Sequence, residues 1–170
     1  LIVGYFMHLR FEKLNLILSQ EPSEPVDRES RWLLALCHDY LAEMATMTAG
    51  PEAGAINLQT AVDLYSAYLE QYPDTPHAVE ISLRKADLLL SRVNDPAMRA
   101  SRAEELYSPL LQTDAIREQV LFRLGSNLVQ HGSGVPEPKI REGITYYQTL
   151  AEEFPQSEFS ESALYKVGRG

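Results

Sequence analysis

The side chains able to do chemistry are few, and their spacing gathers none of them. The four histidines, His8, His38, His77 and His131, fall far apart, with no HxxxH or HExxH pair, so no metal site is signalled. The single cysteine, Cys37, sits in the apolar run WLLALC and reads as a buried small hydrophobe; one cysteine also excludes an internal disulfide and any Cys-rich zinc site. His38 follows it directly, but consecutive residues on a helix point about 100° apart, so the pair is no thiol–base couple. Gly132 and Gly134 in HGSGVPEP follow no strand pattern and lack the GK[ST] ending of a phosphate loop. The pairs Glu104-Glu105 and Glu152-Glu153 read as solvated helix faces, since catalytic carboxylates must converge across a cleft. Neither a catalytic residue, a metal nor a cofactor is expected.

Charge narrows the partners. With 24 acids against 15 Lys plus Arg, the net charge of −9 disfavours nucleic-acid backbones and anionic membrane surfaces. No 18-residue apolar run exists, because Leu1–Phe6 is soon followed by His8, Arg10, Glu12 and Lys13. The acidic balance favours a protein partner with basic segments.

What does recur is a pattern of small and aromatic residues. AVDLYSAYLEQYP from Ala61, AEELYSPLLQT from Ala103 and GITYYQTLAEEFP from Gly143 each place a tyrosine four residues after a small residue, at Tyr65, Tyr107 and Tyr147. Pro73 and Pro155 lie 12 residues after that small residue, and the middle copy lacks the proline. A second set interleaves with the first: LRKA ending at Ala86, FRLG at Gly125 and YKVG at Gly168. Both sets beat at about 40 residues, the signature of stacked helix pairs. Within each segment the apolar spacing is helical, as in Ala61, Val62, Tyr65, Tyr68, Leu69 and Tyr72. YPDTP at 72–76 and FPQS at 154–157 supply helix-ending prolines, each followed by a polar N-cap.

These signals predict helices at about 4–20, 27–47, 57–71, 77–92, 97–112, 115–130 and 139–153, with an eighth from 158. TAGPEAGA (48–55) and HGSGVPEP (131–138) read as loops. The expected fold is all-α: a right-handed superhelical solenoid of antiparallel pairs, about 4–47, 57–92, 97–130 and 139–168, in one array over residues 1–170. The repeated tyrosines are expected to pack between helices.

The motifs resemble the tetratricopeptide repeat family. Ala61, Tyr65 and Pro73 match the second helix of its repeat, as do Gly143, Tyr147 and Pro155; Gly125 after Leu124 and Gly168 after Val167 match the first. The family repeat has 34 residues, so a period near 40 departs from it, and so does Tyr68 in place of alanine after the aromatic. The phrasing of YPDTP and EFPQSEFSESALYKVG looks most like bacterial cell-envelope members, such as the Tol-Pal-associated periplasmic protein and the outer-membrane assembly lipoprotein. That likeness favours the cell envelope over the cytoplasm.

The resemblance implies a non-enzymatic interaction module. In the family the first helix of each pair lines a concave groove that receives a peptide or helix. Its groove positions correspond here to Trp32, Leu83, Phe122 and Tyr165, three before the small residue, and to Leu36, Asp87, Ser126 and Arg169, one after it. Trp32, Phe122 and Tyr165 would form an aromatic ladder of interface anchors; the alternative is that these rings pack as core. By the same register the chain opens and closes on half-repeats. The array is therefore expected to be a piece of a longer one, or a structural subunit or spacer docked through the apolar helix Leu1–Leu18.

Overall fold

The computed structural model describes residues 28–129 and 134–168. The expected helix at 4–20, its docking role, His8, His131, Gly132 and Arg169 lie outside those residues. Among the described residues every regular element is helical: α1 (Arg28–Ala49), α2 (Pro51–Gln71), α3 (Pro76–Ser91), α4 (Pro96–Tyr107), α5 (Arg117–Leu128), α6 (Glu137–Glu153) and α7 (Glu158–Val167). Two 3-10 segments, Ser108–Gln112 and Asp114–Ile116, link α4 to α5. The chain divides into two compact units, Leu1–Ile81 and Ser82–Gly170, and the division falls within α3.

In the first unit α1 packs along α2. Ala35, Ala61 and Tyr65 are fully buried there, and Tyr68 nearly so. Helix α2 starts earlier than its sequence suggests. Only Gly50, at φ 92°, forms the turn, and Pro51 opens the helix. A proline at the first helical position removes a donor that would have no partner there anyway. Gly54 lies within the helix, and α1 crosses it too closely for a side chain: a Cβ at Gly54 would sit 2.5 Å from the Ala42 carbonyl oxygen. The glycines of TAGPEAGA thus serve one turn and one close helix crossing, and the expected loop over 48–55 reduces to that turn.

In the second unit α5 packs against α4, α6 and α7. The buried cluster Leu121, Tyr147, Leu150 and Ala163 joins α5, α6 and α7. The helix expected over 97–112 changes character at Ser108. Pro109 has no N–H to donate, and its ring crowds the carbonyl four residues back, so the chain tightens into the 3-10 form.

The two proline turns have the same backbone. Tyr72 ends α2 at φ −134°, ψ 57°, and Phe154 ends α6 at φ −128°, ψ 58°. Each donates its N–H to a carbonyl four residues back, at 2.8 and 2.9 Å. Three residues later the Thr75 and Ser157 carbonyls accept from Ala78 and Ser160, at 3.0 and 3.1 Å. Two sequence copies 82 residues apart therefore make one local structure.

Candidate functional site

The second unit carries a concave cleft of about 560 Å³. Its wall is the face of α5 that presents Glu118, Gln119, Phe122, Arg123 and Ser126; α7 closes one side with Glu158 and Phe159, and Asp87 and Tyr107 close another. Helical spacing explains the wall: 119, 122, 123 and 126 fall on one stripe, while Val120, Leu121, Leu124 and Leu128 turn into the core. Phe122 and Phe159 are both half-buried, with ring centroids 4.9 Å apart. Behind them lies Tyr147, whose ring centroid is 5.9 Å from that of Phe122.

Several polar groups of the cleft are engaged with one another or with side chains beside it. Arg123 donates from Nε and Nη2 to both carboxylate oxygens of Asp87, at 2.8 to 3.1 Å. The Tyr107 hydroxyl donates to the same carboxylate. Burial, and then the Asp87 charge beside it, push the Tyr107 phenol well above its ordinary range, so it stays a protonated donor. Ser126 Oγ and the Tyr147 hydroxyl lie 2.9 Å apart. Ser157, the N-cap of α7, donates from Oγ to Glu118 at 2.7 Å and accepts from the Phe159 N–H at 3.0 Å.

One register underlies two of these contacts. Asp87 and Ser126 each follow the small residue of their motif, Ala86 and Gly125, and each holds a repeated tyrosine from the following motif, Tyr107 and Tyr147. Tyr65 makes the analogous bond to Asp39, at 3.2 Å, from a different position on α1. All three tyrosines are essentially buried, as expected of packing residues.

Of the eight expected groove residues, the seven that are described separate. Asp87, Phe122 and Ser126 meet at the cleft. Leu83 is 4% exposed and belongs to the core. Tyr165 stands exposed on α7, outside the cleft lining. Trp32 and Leu36 are half-buried in the first unit, where Trp32 stacks on His77 with ring centroids 4.4 Å apart.

Sequence reasoning missed Glu118, Gln119, Arg123, Asn127, Glu158 and Phe159. Phe159 carried a signal: a large aromatic just inside an N-cap, on a helix otherwise read only through its last residues. The remaining chemistry-bearing candidates stay dispersed. Cys37 is buried, and His38 meets Asn57 Oδ1 at 3.3 Å, with burial lowering its pKa. Among the described residues no three His, Cys, Asp or Glu side chains group as a metal site, and no helix is long and apolar enough to cross a membrane.

No family model, curated protein or solved structure matches the chain.

Proposed function

We propose that this chain is a tetratricopeptide-like array, a right-handed solenoid of helix pairs, which binds protein rather than catalysing a reaction, and that the α5–α7 cleft receives a peptide or helix of the partner. One observation carries the reading: the cleft exposes two adjacent aromatic rings, Phe122 and Phe159, while Asp87, Arg123, Tyr107 and Ser126 are spent on internal hydrogen bonds. A catalytic site needs a nucleophile, base or acid free to meet substrate. Here Asp87 serves Arg123 and Tyr107, Ser126 serves Tyr147, and Glu118 serves Ser157. What the cleft offers is shape, apolar surface and a charged rim, the composition of a docking surface. The repeat reading is supported by the matching proline turns and by the shared tyrosine register.

The test is capture of a partner from the organism's own extract by the wild-type chain and by two variants. Phe122→Ala removes a central aromatic contact and weakens capture by about 1–3 kcal/mol. Gln119→Trp fills the cleft from a half-buried surface position and blocks it without removing any core contact. Capture that survives both substitutions in folded protein overturns the reading.

A further inference from the structure

The cleft has a charge as well as a shape. Its ionisable lining is Asp87, Glu118, Glu158 and Arg123, three acids and one base. The base is already committed: both oxygens of Asp87 hold the Arg123 guanidinium at 2.8 to 3.1 Å, and the two charges cancel locally. Glu118 and Glu158 then set the field. Each sits in the first turn of its helix, where the N-terminal partial charge of about half a unit offsets it only in part. Glu118 receives one hydrogen bond, from Ser157, which leaves a carboxylate with further acceptor capacity, and Glu158 is exposed. The rings of Phe122 and Phe159 line the same cleft.

We propose that the occupant of the cleft is a partner segment carrying lysine or arginine beside an apolar side chain. The apolar part, with the methylene stem of the cationic residue, lies on the two rings; the cationic head reaches Glu118 and Glu158. An acidic segment is disfavoured, because the one cation in the cleft lining is clamped by Asp87 while Glu118 and Glu158 keep most of their charge. This inference rests on the docking reading and adds the chemistry of the docked segment.

The probes are two short fluorescent peptides with identical leucines and phenylalanine, one carrying lysines and the other glutamates at the remaining positions. Binding to the full chain is measured by anisotropy at low and moderate salt. The lysine peptide is expected to bind about tenfold tighter or more, with a difference that shrinks as salt is added. The double variant Glu118→Gln, Glu158→Gln is expected to weaken it about fivefold, in line with two partly exposed ion pairs. Glu152→Gln, exposed on α6 and outside the cleft lining, is expected to leave it unchanged. Equal affinity for the two peptides overturns the inference, because no charge preference then exists; an equal loss from Glu152→Gln overturns it as well, since the net charge of −9 rather than the cleft would be acting. If both peptides bind equally and Phe122→Ala releases both, docking stands and the cation preference falls. If neither binds the wild-type chain, both readings fall.

Discussion

Replacing Gly125 with alanine sets two opposite effects against each other, and the structure decides between them. Gly125 lies in the last turn of α5, still within the helix, where alanine gains up to about 1 kcal/mol of helix propensity. A Cβ there would fall 2.6, 2.7 and 2.8 Å from three atoms of the Tyr147 ring. Ordinary contact begins at 3.4 Å, so the ring must retreat by about 0.8 Å. It has little room to do so. Tyr147 is 0% exposed, its hydroxyl is held 2.9 Å from Ser126, and Phe122 stands against its ring. Overpacking a close-packed site costs about 1–3 kcal/mol, and the upper part of that range applies where the ring is fixed on several sides. With the propensity gain subtracted, Gly125→Ala is expected to destabilise the protein by about 1–2 kcal/mol, a fall in Tm of roughly 2–8 °C for a chain of this size. Thermal unfolding followed by circular dichroism reads it directly. An unchanged or raised Tm would show that the small residue of the repeat is not there to admit the tyrosine, and the packing argument for the repeat would go with it.

Other perturbations follow from the same contacts. Tyr107→Phe deletes the hydroxyl that donates to Asp87 but keeps the ring; urea unfolding should register a loss of about 1 kcal/mol, and no loss would mean that the bond is not formed. Ser157→Ala removes the N-cap of α7 and the bond to Glu118, with an expected cost of about 1 kcal/mol in the same assay. His38 is held below its usual pKa of 6.5 by burial, so the unfolded chain takes up the proton more readily. Its contribution is therefore complete above pH 6.5 and is lost as the pH falls through the lower folded-state value. His38→Gln should flatten the stability profile in that window, and an unaltered profile would contradict the assignment. The Arg117 guanidinium holds the Glu153 carboxyl below its usual range through bonds of 2.7 and 2.9 Å. Because this pair is half in solvent, Arg117→Gln should cost less than about 1 kcal/mol, and the difference should vanish in high salt; a larger, salt-independent loss would point to its bond to the Leu111 carbonyl instead.

Much of the helical order was readable because helix ends are written locally. YPDTP and FPQS carry their cap chemistry in adjacent residues, and α3 and α7 begin where those signals lie. The onset of α2 was not readable, since whether Gly54 sits in a loop or under a crossing helix depends on Ala42, twelve residues away. The same limit applies to the cleft. Phe122, Asp87 and Ser126 followed from repeat register, but Leu83 obeys that register and is nonetheless buried. The partners of Asp87 could not be foreseen either: Arg123 and Tyr107 reach it from 36 and 20 residues away. The small residue at 125 announced where a tyrosine would pack, while Asp87 and Ser126, which bond the tyrosine hydroxyls, looked like groove positions.

The central claim is that a protein partner docks in the α5–α7 cleft. Photo-crosslinking tests it most directly, with a methionine-sized diazirine amino acid at Gln119 inside the cleft and, separately, at Glu152 outside it. The account predicts a partner adduct from position 119, lost when that substitution is combined with Phe159→Ala, and none from 152. Adducts of equal yield from both positions, or from 152 alone, would contradict it.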